Sequence, residues 1–274
     1  MTARHRLVSL ALLALMLVAW QVAHELAGTN QRGDPMVPGL VDVLDAFKGL
    51  SREWQGGWGV ERTDLGGEET WAGGLLAFAY NAGATGLRLA AGYLLGAGVG
   101  LGLAALVSWS PLLRRIVYVP AHSVRMLPLL ALIPLFGLWY GSSNTGAVMF
   151  VAFTVFVYVF AFGINAIANV PGHFSHAARS LGAGRVRTYV EVVLPAALPE
   201  LGSGLSLSLA LGWSAAISAE FNGQATGLGQ IAYVAEYFTQ TGLLALMAIT
   251  VIAFAAASFL FARGVIAWAT RWAE

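Results

Sequence analysis

Cysteine is absent from the 274 residues, so neither a disulfide framework nor a thiolate metal site is available to this chain. Charge is almost as scarce. Only 11% of residues are charged and 58% are hydrophobic, whereas soluble domains carry roughly 25% charge, so the solvent for most of the chain is lipid. A formal net charge of +1 lacks the basic footprint that a general nucleic-acid binder needs. The sequence also has no Gly-x-x-x-x-Gly-Lys loop to cradle phosphates, so any ATP is bound on another chain. Five scattered histidines (His5, His24, His122, His173 and His176), with no close carboxylate cluster, give neither a metal site nor a hydrolytic centre. No catalytic residue and no cofactor is assigned to this chain.

What is present is a set of long apolar runs. Six of them, 7–23, 89–109, 116–140, 145–170, 201–219 and 243–262, suit a bilayer core of about 30 Å, which takes roughly 20 helical residues. The first follows Arg4 and Arg6. Trp20, Gln21, His24 and Glu25 stand where a cleaved leader would need small residues, so the run reads as an anchor helix. Stretch 70–87 is uncharged too, but a seventh span there would put Arg114 and Arg115 outside and invert every later loop. It reads instead as an interfacial lead-in to the second helix. The expectation is an all-α polytopic membrane protein with six transmembrane helices and both termini cytoplasmic. Gly92, Gly96 and Gly100 in the second run, and Gly204, Ser208 and Gly212 in the fifth, recur every four residues. Such stripes let helix backbones approach closely in lipid, and packing alone accounts for them.

Residues 24–74 form the large hydrophilic segment, with nine acids (Glu25, Asp34, Asp42, Asp45, Glu53, Glu61, Asp64, Glu68 and Glu69) against four bases (Arg32, Lys48, Arg52 and Arg62). The later loops are basic, so by the positive-inside rule this segment is periplasmic or extracellular. Leu40, Val43, Phe47 and Leu50 mark a short amphipathic helix, and Trp54, Trp58 and Trp71 suit the membrane interface. Its acidic excess fits a contact with a binding partner or a solvated outer cap.

The third run differs from the others because Pro120, Pro128 and Pro134 interrupt its hydrogen-bond ladder and Arg125 lies well inside it. A charge at that depth marks a translocation pathway or an internal pair, and Glu220, at the outer end of the fifth run, is the candidate partner for Arg125. Residues 171–195 form a polar interlude carrying Arg179, Arg185 and Arg187 against one acid, Glu191. Ser175 can cap a first helical turn, Ala177, Ala178 and Leu181 share a face, and Gly182 with Gly184 interrupts before Val186, Val190 and Val193 resume the period. The expected product is a helix-turn-helix knob suited to a groove on a cytoplasmic partner.

Ala177-Ala178, then three residues and Gly182, then nine residues, Val192, one residue and Leu194-Pro195, resembles the Glu-Ala-Ala loop of bacterial ABC importer permeases. The surrounding sequence is most similar to the nitrate/sulfonate/taurine branch, from about Val37 to the C-terminus. His176 stands where the family motif usually has glutamate. A histidine there would make a pH-sensitive contact with the ATPase. Arg125, Pro128 and Pro134 match the family's pattern in the third helix, and Gly227-Leu228-Gly229 resembles its outer glycine-leucine-glycine turn.

The resemblance implies an N-terminal helix (1–23), a periplasmic segment (24–74) and a five-helix permease core (75–274) with a cytoplasmic coupling loop between helices 4 and 5. It implies ATPase contact through His176, Ala177, Ala178, Arg179, Leu181, Gly182, Ala183, Leu194 and Pro195. The implied partners are an ABC ATPase dimer that binds ATP and magnesium, a second permease copy or paralogue, and a periplasmic or lipid-anchored solute-binding protein, all at a bacterial inner membrane. The cargo would be a small anion such as a sulfonate, taurine or nitrate, and a thiamine precursor is the alternative within the family. Outside it, the alternatives are an ion-gradient-driven transporter or channel, for which Arg125 and the edge residues Arg88, Glu200 and Glu220 are a sparse relay, and a scaffold that only recruits an ATPase.

Overall fold

The computed structural model describes residues 3–29 and 33–273; Arg32 and the side chains of Arg4 and Arg6 lie outside the described residues. The described chain is helical, with two isolated bridges, Thr29–Pro35 and Gly57–Val60, and no strands. In order, the helices are α1 (Ala3–Leu26), α2 (Leu40–Gly49), α3 (Trp71–Ser108), α4 (Pro111–Val124), α5 (Ile133–Tyr140) and α6 (Asn144–Asn169). They continue as α7 (Gly172–Ser180), α8 (Arg185–Thr188), α9 (Leu194–Glu220), α10 (Leu228–Tyr237) and α11 (Thr241–Ala269).

Trp71–Ser108, Asn144–Asn169, the continuous stretch Arg185–Glu220 and Thr241–Ala269 are long and apolar enough to cross a membrane. Ala14–Leu26 is a shorter apolar stretch within α1. Stretch 70–87, expected as an interfacial lead-in, is continuous with the second span: α3 is one helix of 38 residues, about 57 Å long at 1.5 Å per residue and so well beyond a hydrocarbon core.

The third run is not one straight span. Pro111–Val124 and Leu129–Tyr140 meet at 82°. Only one of the three prolines marks the break. Helix α4 runs through Pro120, Pro128 precedes a short 3-10 turn (Leu129–Leu132), and Pro134 sits in the first turn of α5, where its missing N–H costs nothing. The gap falls at 125–128 because Pro128 disfavours helical geometry in the residue before it.

Contacts divide the chain into two compact units, residues 1–83 with 230–250 and residues 84–229 with 251–274. In the first, α2 forms where the amphipathic pattern predicts it. Asp42 accepts the Gly39 N–H at 2.7 Å, and Phe47 stacks on Trp71 with ring centroids 5.9 Å apart. His24 and Trp20 of α1 reach the carbonyls of Val37 and Pro38, each at 2.7 Å.

The second unit is built on α6, buried along most of its length. A Cβ at Gly92 would lie 2.6 Å from the Val151 side chain, one at Gly96 would run into the Ala152 carbonyl, and one at Gly100 would lie 3.2 Å from the Phe156 carbonyl. The stripe on α3 is therefore a seat for the α6 backbone. On α9, Gly204 lies against the Phe162 side chain of α6, and Gly212 against the side chains of Leu89 of α3 and Val155 of α6. Trp213 of α9 stacks on Phe254 of α11 and donates to Ser258 at 2.9 Å.

Two single-methyl variants separate seat from surface. Gly96→Ala places its methyl on the Ala152 carbonyl and is expected to lower stability by about 1–3 kcal/mol, whereas Gly98→Ala meets nothing within 4 Å and is expected to be neutral or stabilising by about 1 kcal/mol through helix propensity. Thermal unfolding of the purified variants in detergent checks both.

Candidate functional site

Among the described residues, the buried charge is concentrated at one place. Glu220 closes α9, where the helix dipole disfavours a carboxylate, and it is fully buried, so a cation must compensate it. That cation is Arg88 of α3, itself only 6% exposed, with Nη1 2.6 Å from the carboxylate. Nη1 also donates to the Thr226 carbonyl at 2.6 Å, Nη2 to the Thr226 hydroxyl at 2.8 Å and Nε to Asn144 at 2.8 Å. Thr85, one turn before Arg88 on the same face, donates to the Glu220 carboxylate at 2.9 Å and accepts the Leu228 N–H at 2.9 Å. The Gly229 N–H donates to Glu220 at 2.8 Å.

The expected outer turn, Gly227-Leu228-Gly229, is thus folded around a carboxylate. Gly227 has φ +126, and a Cβ there would overlap the Glu220 carboxyl; a Cβ on Gly229 would lie 2.6 Å from the Ile217 carbonyl and 2.8 Å from the Glu220 Cβ. Both glycines are required by the close approach of the Glu220 side chain. The neighbouring loop is tied down as well, because Ser142 donates to the Asn222 carbonyl at 2.6 Å and Gln224 to that of Ser143 at 3.0 Å. With its hydrogen bonds satisfied from α3, α6, α9 and this loop, the pair joins elements.

This overturns the expected Arg125–Glu220 pair. Glu220 faces Arg88, and among the described residues no carboxylate lies within ion-pair distance of Arg125. Arg125 caps the C-terminus of α4 at the break, half-buried, and Tyr158 of α6 donates to its carbonyl at 3.3 Å. One turn back, His122 lies 3.2 Å from Asn165 of α6. Thr85, Asn144 and Thr226, and the pairing of Arg88 with Glu220, escape a sequence reading that gives Arg88 only as an edge residue and Glu220 as the partner of Arg125. The available signal was the spacing of Thr85 and Arg88 on one helical face together with an acid at a helix C-terminus.

The second concentration of predicted residues is the knob at 171–195. Helix α7 begins after Pro171, so Ser175 lies inside it and caps nothing, a correction to the expected start. Its end follows the glycine pattern. Gly182 has φ +86, its N–H donates to the Arg179 carbonyl at 2.9 Å, and the Ala183 N–H donates to that of Ala178 at 3.0 Å. This paired closure with a left-handed residue is a Schellman motif, which glycine fits without strain. His176, Ala177, Arg179, Leu181 and Gly182 are exposed, Ala178 and Ala183 half-buried, and Leu181 stands 90% exposed. Leu194 and Pro195 open α9 after a π-turn (Tyr189–Val193). Arg185 anchors the knob to the end of α3, its guanidinium 5.1 Å from the Trp109 ring, and Tyr189 meets the same ring edge-on while donating to the Ala105 carbonyl at 2.6 Å.

Removing one member of the buried pair strands the other. Glu220→Ala is expected to cost about 3–5 kcal/mol, while the double variant Arg88→Met/Glu220→Leu recovers most of that loss. Thermal melts of the purified single and double variants check this.

Comparison with known proteins places most of the chain in a family. Residues 84–272 match the model of the binding-protein-dependent transport system inner membrane component, a later start than the expected Val37. A Bacillus subtilis (strain 168) protein provisionally named aliphatic sulfonates transport permease protein SsuC is 34% identical over 154 residues, 56% of this chain and 56% of its own length. The taurine transport system permease protein TauC of Escherichia coli (strain K12) is 34% identical over 170 residues, 61% of this chain and 60% of its own. The nitrate import permease protein NrtB of Leptolyngbya laminosa is 28% identical over 142 residues, 52% and 51% of the two chains. The chain therefore spans between half and three fifths of the length of these three relatives. A solved inward-facing conformation of the MetNI methionine ABC transporter aligns with a TM-score of 0.48 and 24% identity, covering 67% of this chain and 91% of that one. The matched segment is more than half of the chain, and the chain belongs to the family of binding-protein-dependent transport system inner membrane components.

Proposed function

We propose that this chain is the translocation subunit of an ATP-driven importer, handling a small anion delivered by a solute-binding protein on the outer side. The observation that carries the reading is the knob at 171–195: an exposed leucine beside a Schellman turn, joined through Arg185 and Tyr189 to the end of α3. Exposed apolar surface on a polar loop fits a cleft of a partner, and a rigid anchor carries motion of that partner into the helices.

In this reading the ATPase dimer binds ATP and magnesium and draws two such knobs together. A second copy or a paralogue supplies the other knob. The helices then switch between inward-open and outward-open states, a two-state equilibrium biased by nucleotide on the partner. Both termini and the basic loops face the cytoplasm of a bacterial inner membrane, six helices cross it, and the acidic segment 24–74 faces outward.

The anionic cargo is supported by the names of the relatives and by Arg125. Its charge is unbalanced among the described residues and lies at the backbone break of the third run. An uncompensated cation at membrane depth favours an anion in the pathway.

The experiment is ATP hydrolysis by the reconstituted permease, ATPase and binding protein over sulfonates, taurine, nitrate and thiamine precursors. Stimulation by one of the anions is expected. Failure of every compound with an assembled complex would remove the anion reading, and failure of the ATPase to assemble would remove the importer reading.

Two variants refine it. In Gly182→Leu the left-handed turn carries roughly 1–2 kcal/mol of strain, and a Cβ at this position meets nothing in this chain within 4 Å. Loss of stimulated hydrolysis with intact membrane insertion is expected, read by the same assay. Arg125→Gln is expected to lower anion-stimulated turnover roughly tenfold, equivalent to about 1.4 kcal/mol, with an unchanged thermal melt. A lowered melt with unchanged turnover would mark Arg125 as structural.

A further inference from the structure

We propose that the groove between α9 and α11 in the second unit binds an anionic phospholipid, with its headgroup phosphate on Arg263 and an acyl chain along Leu207, Phe259 and Ile266. The groove encloses about 600 Å³. Its floor is a close helix approach, since a Cβ on Gly202 would lie 2.6 Å from the Ile266 side chain. Ser203, Ser206 and Ala210 keep the α9 wall low, and Phe259 and Leu207 leave its apolar end open.

Arg263 is the charged side chain among those lining this groove. No carboxylate among the described residues is within ion-pair distance of it, and its guanidinium carbon lies 5.9 Å from the Phe259 ring centroid, which holds the charge beside the groove. Glu200, the acid just before this wall on α9, accepts a hydrogen bond from Asn169 of α6 at 2.6 Å. Ser203, Ser206 and Thr270 donate to carbonyls of their own helices, so the guanidinium supplies the donors for a ligand.

Depth identifies the ligand. Arg263 lies about 9 Å of helix before the end of α11, and exposed Trp268 and Trp272 follow it, as aromatic residues do at a headgroup layer. A guanidinium at that level seeks an anion, and the anion that layer supplies is a lipid phosphodiester. The site depends on neither the cargo nor the coupling loop.

The test uses the full-length permease in nanodiscs of mixed phosphatidylglycerol and phosphatidylcholine, with the lipids retained after extraction counted by native mass spectrometry. The wild type is expected to retain phosphatidylglycerol about fivefold over phosphatidylcholine, the ratio that corresponds to about 1 kcal/mol for one basic side chain at a membrane surface. Arg263→Gln should bring that ratio close to one, and Arg263→Lys and Arg271→Gln should keep it. Ala210→Leu, which fills the groove, should reduce retention of both lipids and gives an independent arm should Arg263→Gln fold poorly. An unchanged ratio in Arg263→Gln, an equal loss in Arg271→Gln, or displacement of the lipid by inorganic phosphate would overturn the proposal. So would unchanged lipid retention in Ala210→Leu accompanied by loss of a dimer, which would assign the groove to a second copy.

Discussion

Hydrocarbon supplies no hydrogen bonds and no hydrophobic drive for one helix to leave lipid for another, and the second unit is arranged around that constraint. Packing has to come from close approach, which glycine permits. On α3, Gly92, Gly96 and Gly100 admit the α6 backbone so closely that the Ala152 carbonyl occupies the place of a side chain. A fully buried charge has to be satisfied within the protein, and Arg88 with Glu220 does this while drawing together α3, α9, the start of α6 and the turn at 226–229. A buried ion pair of this kind contributes modest net stability, because desolvation offsets most of its attraction. Its larger effect is geometric: four segments are fixed in one register at the end of α9.

The second, fourth, fifth and sixth apolar runs and the glycine stripes were legible because they follow from composition and period, whereas the 70–87 part of α3 and helix α10 were not. Helix α2, the break in the third run, the knob at 171–195 and its glycine stop all rest on local signals, namely an amphipathic face, a proline and a left-handed turn. The pairing of charges was not legible, since it depends on which helix faces which. Glu220 is 132 residues from Arg88 in sequence, and nothing local chooses between Arg88 and Arg125. Three prolines produce a single break for a related reason. Pro120 stays within α4 because one missing donor in a helix can be absorbed, while Pro128 acts with Arg125 at a helix end where the ladder is already closing. Ser175 was misplaced by one turn because Pro171 begins the helix earlier, consistent with the preference for proline near helix N-termini.

The two concentrations of predicted residues have different physical characters. Around Glu220 the buried side chains of Thr85, Arg88 and Glu220 are engaged with one another and with the half-buried Thr226 and the exposed Asn144, which makes a fixed joint. The knob presents the reverse, an exposed apolar residue on a tight turn whose base is clamped by Arg185, Trp109 and Tyr189. A rigid body tied at its base and open at its tip suits transmission of force, and the π-turn at Tyr189–Val193 lies where the knob joins α9. Such turns are frequent at functional sites within helices.

The central claim, that the 171–195 knob sits in a partner ATPase, is tested most directly by cross-linking. The chain has no cysteine, so Leu181→Cys introduces a single thiol at a 90% exposed position, and Leu65→Cys, 78% exposed in the acidic segment, is the control. In the reconstituted complex an adduct with the ATPase is predicted from position 181 and not from position 65. An assembled complex that gives no adduct from 181, or equal adducts from both positions, would contradict the account.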